Sequence, residues 1–572
     1  MRKIQNSIVF LLTVAGLGLW VYTGLHPHDM KPFLLEGAYY GILLLFLAWV
    51  YTVVEYLRCG EFSLAAFVRQ YGGGILLCLL ATVMIEVSVK PSFKTLSDET
   101  NLLVSSRAMT FERTVASEVM AVRYHGDFNP IVATNAVDKR PFLFPFLESL
   151  LHLLRGFGPS NAFLLNGFLM FVFLSGVFIG TRQFLNGPLS VSAVFLVISY
   201  PVFSICGTSG GFDLLSSVFL GLSLAALYAC LRGPSSEKFA LLWMTLMVLS
   251  QTRHESYVYF FIVMGLLAAM GGVTRASLKE NRIVVAMTPL WFLLSVWGPL
   301  VNFMLVEDPA EKNMFSLHHF QHNSLEFLRA QLHFDFLYPY NNILNLLAVA
   351  LLGSLLIGSA ARKRISQAPW LVRFTLISCV CVAASIAAPF AFYGGTSLHP
   401  AGVRLFLPLS IECALVPIVW LIARPQSPGP RGSTLFLLAS IGLFLLYHPI
   451  AVEGRFVNLS YPFRETSFEH GVIRQKFPDQ KILVIAEIPS QFTALQYGAV
   501  DFKTANDNIP NFLAGLVRHL YHDIVVIQRV SFKTGAPAAK NELNPAYVLQ
   551  PIAEYETDPD HFIRISKVRV EA

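Results

Sequence analysis

The sequence has few charged residues, and this shortage decides the class of protein. Only 14% of the 572 residues are Asp, Glu, Lys or Arg, and the mean hydropathy is +0.56. Soluble domains carry about 25% charged residues. The shortfall leaves uncharged stretches that match the roughly 20 apolar residues needed to cross a bilayer. The composition therefore predicts a polytopic membrane protein, all-α in its membrane part, rather than a soluble domain.

Three further absences narrow the function. None of the seven cysteines lies in the polar C-terminal part, so no disulfide framework is implied. Many transporters have internal repeats, and this chain has none. Its C-terminal part has no Gly-rich phosphate loop. Basic residues occur in short loops between apolar runs, as in the cytoplasmic loops of membrane proteins, so the net charge of +6 does not indicate nucleic acid.

Thirteen apolar runs are predicted to span the membrane, the first at 8–25 and the last at 435–447. The basic residues between them place the N-terminus in the cytoplasm and the C-terminal part outside. The apolar run at 141–154 is short, and counting it as a span would invert this charge bias. We therefore expect it to rest in the outer leaflet. The sequence thus predicts a multi-pass protein of the cell inner (plasma) membrane.

We expect the chain to be organised in four regions. They are N-terminal transmembrane helices (1–90), a first external loop with interfacial helices and the candidate active site (91–160), the remaining transmembrane helices with a second external loop (161–449), and an extracytoplasmic α/β domain (450–572). In the last region, strand-like apolar runs alternate with helical patterns, which is typical of a small α/β domain. The predicted strands are 481–487, 523–530 and 562–570, and the predicted helices are 491–497 and 509–521.

The first external loop carries the acidic candidates. Val115, Val119 and Val122 recur at i, i+4 and i+7, which predicts a helix lying in the membrane interface. Asp98 and Glu99 come shortly after the third span, and for Glu99 we favour a solvated helix end stabilised by the helix dipole. Asp98 is the candidate catalytic base, because a carboxylate there could accept a proton from a hydroxyl that attacks a sugar carbon. It could also help to hold a divalent cation.

Cations that could bind an anion occur at three places. Lys139 and Arg140 either reach lipid headgroups as interfacial cations or hold a phosphate, where they would offset charge on a leaving group. Arg253 either pairs with its neighbours in a tight turn or binds the anion, and Arg404 is either an interfacial anchor or an anion ligand.

Asp213 is a second acidic candidate, because an ionisable residue near membrane depth is by default a functional hypothesis. Its alternative role is a helix cap.

One pair of histidines has the spacing of metal ligands. His318 and His322 are separated by four residues, so they share one face of a helix. No HExxH pattern accompanies them, and histidines in a polar outer loop more often have no metal role. We therefore predict no metal site, and the sequence identifies no certain cofactor beyond the divalent cation that Asp98 could help to hold.

The segment 98–158 resembles the first external loop of the GT-C superfamily of membrane glycosyltransferases. It looks most like the branch that contains the lipid-A aminoarabinose transferases and the protein O-mannosyltransferases. In that branch an Asp-Glu pair follows a transmembrane helix, and a Lys-Pro-Pro-Leu element then leads into an apolar stretch ending in Phe-Gly. The counterparts here are Asp98-Glu99, Lys139-Arg140-Pro141-Phe142 and Phe157-Gly158.

Two later positions extend the resemblance, and one departs from it. Asp213 matches an acidic position in a later loop, and Arg404 before Pro408 is similar to an Arg-Tyr-x-x-Pro element near the end of the membrane part. Arg140, in contrast, replaces the first proline of the Lys-Pro-Pro-Leu element. The number of predicted spans and the external C-terminal domain are also similar to that branch.

The resemblance implies an inverting transfer of a sugar from a polyprenyl-phosphate-linked donor to a glycan, lipid or protein acceptor on the outer side. Asp98 would be the base, and Lys139 would hold the donor phosphate together with Arg140, Arg253 and Arg404. Two alternatives stay open: a transporter or lipid flippase, and a non-catalytic envelope assembly protein. Transporters usually place polar sites at mid-membrane, whereas the charged candidates here cluster at one face.

Overall fold

A computed structural model describes the chain over most of its length. The described residues are 2–60, 63–124, 127–131, 140–305, 315–332, 334, 338–357, 369–392, 396, 398, 400–423, 428–454 and 463–569. The predicted site residue Lys139 lies outside them. The chain forms two compact units: a membrane unit within 1–92, 139–147 and 163–456, and a sheet unit within 93–138, 148–162 and 457–572.

Helices make up most of the described chain. In chain order they are α1 (Arg2–Leu25), α2 (Pro27–Cys59), α3 (Leu64–Ser88), α4 (Leu96–Phe111), α5 (Leu143–Arg155), α6 (Ser160–Arg182), α7 (Gly187–Ile198), α8 (Pro201–Gly207), α9 (Asp213–Arg232), α10 (Ser236–Leu249), α11 (Tyr257–Ala269), α12 (Arg275–Glu280), α13 (Arg282–Leu305), α14 (Leu317–Leu332), α15 (Asn342–Ile357), α16 (Pro369–Ala391), α17 (Pro400–Val403), α18 (Leu407–Ala423), α19 (Pro430–Glu453), α20 (Phe463–Lys476), α21 (Ser490–Thr493), α22 (Phe502–Asp507) and α23 (Ile509–Val517).

Each of the thirteen predicted spans contains a helix, and the multi-pass architecture is confirmed. Among the described residues, 8 helices are long and apolar enough to cross a membrane, and the bent pair α7 and α8 would make a ninth. The predicted thirteen spans are not reached by this criterion, because helices such as α10 and α11 have only 14 and 13 residues, fewer than the roughly 20 needed. The bend of 77° between α7 and α8 lies just before Pro201, where Tyr200 is extended because a proline disfavours helical backbone in the residue before it.

The sheet unit contains a seven-stranded mixed sheet. Its strands are β1 (Met120–Tyr124), β2 (Asp127–Ile131), β3 (Ile482–Ile485), β4 (Gly498–Val500), β5 (Asp523–Ser531), β6 (Val548–Asp558) and β7 (His561–Arg569). Their order in the sheet is β2-β1-β4-β3-β5-β7-β6. The central strand β3 pairs in parallel with β4 and β5, and the outer pairs are antiparallel.

Both faces of this sheet are covered by helices. Leu483 and Ile485 of β3 belong to a core that includes Phe512 of α23, whereas Val484 belongs to a core that includes Ile473 of α20. A parallel strand buried on both faces needs a continuous apolar run, and this explains why 481–487 could be assigned from the sequence. The predicted α/β architecture of the C-terminal part is confirmed as a mixed sheet with helices on both faces.

The prediction of a helix through Val115, Val119 and Val122 is wrong. The chain there enters β1, and Ala121 of β1 pairs with Ala499 of β4. The guanidinium of Arg123 donates to the carbonyl oxygen of Gln496 at 3.0 Å. These contacts with the C-terminal part satisfy the backbone in a sheet, so the tertiary context overrides an apolar spacing that also suits a helix.

The predicted short segment at 141–154 is helix α5. It has 13 residues, which is too short to cross a bilayer. The prediction that it is not a full span is in line with this length.

Candidate active site

The loop before α9 places Asp213 at the start of a membrane helix. The amide nitrogen of Asn166, on α6, donates to the carbonyl oxygens of Ser209 and Gly211 at 2.7 and 2.8 Å. These bonds fix the loop that leads into α9. Asp213 then stands in the first helical turn, where the helix dipole favours a negative charge. Its side chain is only 3% exposed.

A buried arginine binds this carboxylate. Nη1 of Arg253 lies 2.6 Å from Oδ1 of Asp213, and the Arg253 side chain is 6% exposed. Nε of Arg253 lies 2.6 Å from a carboxylate oxygen of Glu255, whose side chain is 28% exposed. The guanidinium also lies over the ring of Phe212, 5.7 Å from its centroid. Of the two predicted roles for Arg253, the pairing with a neighbour in a tight turn is therefore observed, and Asp213 is a further partner.

A second arginine reaches the other oxygen of the same carboxylate. Nη1 of Arg404 lies 3.5 Å from Oδ2 of Asp213. Arg404 begins a single 3-10 turn that ends at Phe406, just before α18. Phe406 is fully buried against Phe327 and Phe390, with ring centroids 5.0 and 5.3 Å apart, and this packing holds the turn in place. The carboxylate of Asp213 thus stands between two guanidinium groups.

The segment that follows Arg140 is tied to the loop that carries Arg253. Arg140 is 8% exposed. Three residues later, the backbone nitrogen of Leu143 donates to the carbonyl oxygen of Gln251 at 3.3 Å. The side-chain amide of Gln251 in turn donates to the carbonyl oxygen of Trp291 at 3.0 Å. Arg140, Arg253 and Arg404 therefore all lie in the membrane unit, on backbone segments that are anchored by hydrogen bonds or buried aromatic packing.

The two acidic candidates of the external loop lie in the sheet unit and have different roles in the local structure. Both stand in the first turn of α4, where Asp98 is partly exposed and Glu99 is buried. The carboxylate of Glu99 accepts hydrogen bonds from the backbone nitrogens of Thr95 and Lys94 at 2.9 and 3.0 Å. It therefore satisfies donors at the start of the helix. The sequence predicted a helix-end role for Glu99, but the expectation that its side chain is solvated is wrong, because it is buried.

The sheet unit also buries a pair of ionisable side chains that the sequence did not single out as a site. Glu148 and His152 face each other one turn apart on α5, and neither side chain is exposed. Nε2 of His152 lies 2.9 Å from the hydroxyl of Ser106, and its Nδ1 lies 2.7 Å from the amide nitrogen of Asn161. Since Asn161 donates to Nδ1, the ring carries its proton on Nε2 and donates it to Ser106. The only signal in the sequence was an i, i+4 polar pair within an apolar run.

Burial keeps both groups of this pair neutral. It raises the pKa of Glu148 to about 8 and lowers the pKa of His152 to about 4. The charged form of each group would lose its hydration inside the unit, and burial is the larger influence on both pKa values. The pair is therefore a neutral acid beside a neutral imidazole at pH 7.

The described residues contain no group of three or more His, Cys, Asp or Glu side chains that could hold a metal ion. The ring centroids of His318 and His322 on α14 lie 6.5 Å apart with the ring planes tilted by 38°, and Nε2 of His322 lies 3.6 Å from Oε1 of Glu326. These contacts lie within helix α14, so the spacing of the two histidines has a local explanation.

Comparison with known proteins gives matches only among solved structures. No protein-family model and no curated protein matches the chain. The chain is similar to ArnT from Cupriavidus metallidurans bound to undecaprenyl phosphate, with 12% identity over 86% of this chain and 98% of that chain and a TM-score of 0.48. The apo state of the same protein gives a TM-score of 0.49 at the same identity and coverage.

A second protein is similar over a comparable length. It is the archaeal oligosaccharyltransferase AglB from Archaeoglobus fulgidus, solved in complex with an inhibitory peptide and a dolichol-phosphate. The identity is 10% over 83% of this chain and 75% of that chain, with a TM-score of 0.41. Both are distant likenesses, with 10–12% identity and TM-scores below 0.5. Any statement about the reaction has to come from this chain's own residues.

Proposed function

We propose that the protein is a glycosyltransferase of the cell inner membrane, with its N-terminus in the cytoplasm and its C-terminal domain outside. It moves a sugar from a polyprenyl-phosphate-linked donor to an acceptor hydroxyl or phosphate on the outer side, with inversion. The observation that carries the proposal is the meeting of two largely buried arginines, Arg253 and Arg404, at Asp213 in the membrane unit. Charged side chains in membrane proteins are costly and usually mark a functional pathway.

The guanidinium group explains which ligand this site would suit. Its planar fork of N–H donors matches the oxygens of a phosphate and keeps its charge at any physiological pH. In this proposal Arg404 and Arg253 hold the donor phosphate, together with Lys139 and Arg140 of the external loop. The phosphate leaves with the electron pair of its bond to the sugar carbon, and these cations offset the charge that develops on it.

Asp98 has the role of the base in the same step. The acceptor oxygen forms a bond to the sugar carbon from the side opposite to the phosphate, and Asp98 takes the proton that the acceptor loses. A single displacement of this kind inverts the sugar carbon. Phosphate is a good leaving group, so the step requires no strong general acid.

The positions of the arginines in the chain favour transfer over transport. Asp213 begins α9, Arg253 precedes α11 and Arg404 precedes α18, so each stands at a helix end rather than in the middle of a span. Transporters typically place their polar sites near the bilayer midplane on interrupted helices. The part of the chain that the structure describes contains one interrupted helix, the α7 and α8 pair, and a test of function should therefore measure both activities.

Reconstituted full-length protein can distinguish these activities. Liposomes that contain polyprenyl-phosphate sugars and an acceptor extract from cell envelopes should accumulate free polyprenyl phosphate. We expect Arg404→Gln to lower this release about 100-fold or more, with Arg404→Lys between the two. Arg431→Gln replaces an exposed arginine of the membrane unit and serves as the matched control. Movement of the intact lipid across the bilayer, without release of lipid phosphate, would instead identify a flippase.

A further inference from the structure

The carboxylate of Asp213 is shared between two cations. Oδ1 meets Arg253 at 2.6 Å and Oδ2 meets Arg404 at 3.5 Å. Two guanidinium groups this close repel each other, and the repulsion is strong where water is largely excluded. All three side chains are at most 13% exposed. The shared carboxylate therefore reduces the repulsion between the two cations.

The second carboxylate of the cluster has a different relationship to the arginines. Glu255 meets Arg253 at 2.6 Å through Nε and is 28% exposed. It follows Arg253 by two residues, so this pair is local to one turn, whereas Asp213 joins side chains from three separate segments. Glu255 and Asp213 thus add the same charge to the cluster, and Asp213 contacts both arginines.

The segments that carry Asp213 and Arg253 are held by hydrogen bonds. The loop before Asp213 is held by the two hydrogen bonds from Asn166. One turn further along α9, the hydroxyl of Ser216 lies 3.2 Å from the hydroxyl of Ser256, which belongs to the turn that carries Arg253. Arg404 stands on a different segment, the 3-10 turn before α18. The Asp213 carboxylate consequently links a fixed pair of segments to a third one.

We propose that Asp213 is a positioning residue that holds Arg253 and Arg404 together as one phosphate-binding unit. It does not act on the sugar, and it accepts no proton from the acceptor. This inference rests on the proposed function, because the phosphate it refers to is that of the lipid carrier. It gives Asp213 a positioning role that its charge alone would not indicate.

A positioning role for Asp213 and simple electrostatics predict opposite effects of Asp213→Asn on phosphate binding. Asp213→Asn removes a negative charge from an anion site, so charge alone predicts tighter binding of a phosphate. If Asp213 positions the two arginines, the same change weakens binding, because the guanidinium groups separate. Glu255→Gln is the matched control, since it removes the same charge from the same cluster while Asp213 keeps its place beside both arginines. We expect it to bind phosphate at least as tightly as the wild type does.

Binding of polyprenyl monophosphate, the lipid product, to the full-length protein in detergent is the direct test. We expect Asp213→Asn to raise its Kd about tenfold or more, and Glu255→Gln not to raise it. Equal or tighter binding by Asp213→Asn overturns the inference, as does an equal loss in both variants. If Asp213→Asn does not fold, Asp213→Glu replaces it: the charge is kept but the bridge is displaced, and an unchanged Kd overturns the inference.

The same measurement separates this inference from the proposed function. A wild type that binds the lipid phosphate and transfers sugar, together with an Asp213→Asn variant of unchanged Kd, contradicts only the positioning role. A wild type that does not bind polyprenyl monophosphate contradicts both.

Discussion

Glu148 and His152 lie one helical turn apart on α5, with a carboxylate oxygen 3.6 Å from Nε2 and both side chains fully buried. Their environments shift the two pKa values in opposite directions, to about 8 for Glu148 and about 4 for His152. The unfolded chain has values of about 4.3 for Glu and about 6.5 for His. The folded and unfolded states therefore bind different numbers of protons over a defined range of pH.

The sign of the effect differs between the two residues. Between about pH 4.3 and 8 the folded state keeps the Glu148 proton that the unfolded state has lost, so the free energy of unfolding falls as pH rises. Between about pH 4 and 6.5 the unfolded state binds a His152 proton that the folded state does not, so the free energy of unfolding rises with pH. The effects oppose each other below about pH 6.5, and above it Glu148 is the one of these two residues that still acts.

Glu148→Gln should therefore reduce the loss of stability between pH 6.5 and pH 8. Over this range the free energy of unfolding of the wild type should fall by up to about 2 kcal/mol through Glu148. The fall in the variant should be smaller by that amount. Thermal unfolding of the full-length protein at the two pH values measures the difference. Glu542→Gln, a change at an exposed acid of the same unit, is the control. An unchanged pH dependence in Glu148→Gln would show that Glu148 is ionised in the folded state.

A substitution at Gly498 tests whether the external loop joins the C-terminal sheet. A Cβ atom at this position of β4 would lie 3.1 Å from the backbone nitrogen of Arg123 in β1 and 3.1 Å from the carbonyl oxygen of Ile482 in β3. We expect Gly498→Ala to destabilise the sheet unit by about 1–3 kcal/mol, because backbone on both sides must move.

The matched control is Gly471→Ala in helix α20. A Cβ atom there meets nothing within 4 Å, and alanine favours a helix over glycine by about 0.5–1 kcal/mol. The Tm should therefore fall in Gly498→Ala and rise in Gly471→Ala. The rate of limited proteolysis should rise in the first variant and fall in the second. Equal stability of Gly498→Ala and the wild type would contradict the observed packing of β1, β4 and β3.

Asn166→Ala removes the donor that holds the loop before Asp213. The carbonyl oxygens of Ser209 and Gly211 would lose this partner in a buried position, which costs about 1–3 kcal/mol. We expect a lower Tm and weaker binding of polyprenyl monophosphate, because Asp213 follows this loop directly. A lower Tm with unchanged binding would show that the loop does not position Asp213.

The sequence predicted the helices well because most of them are long apolar runs. It predicted β3 and β5 for the same reason, since both strands are buried runs of apolar residues. It missed β2, β4 and β6, and it assigned a helix where β1 lies. Strand β1 is stabilised by neighbours almost 380 residues away in the chain, as the pairing of Ala121 with Ala499 shows, and no local pattern contains that information.

The site was predictable only as separate residues. Asp213, Arg253 and Arg404 stood out as ionisable groups in apolar surroundings, and the structure brings these three together. Their bridge geometry could not be read from the chain, because Arg404 lies 191 residues from Asp213. The anchoring amide of Asn166 gave no signal beyond one polar residue in an apolar run.

The role of Asp98 as the base is the central claim, and one comparison tests it most directly. Purified wild type and Asp98→Asn are incubated with polyprenyl-phosphate sugars and a cell-envelope acceptor extract, and the release of free polyprenyl phosphate is followed. We expect the wild type to release it and a folded Asp98→Asn to be about 100-fold slower or more. Equal rates for the two proteins would contradict the assignment of the base, and no release by the wild type would contradict the proposed transfer itself.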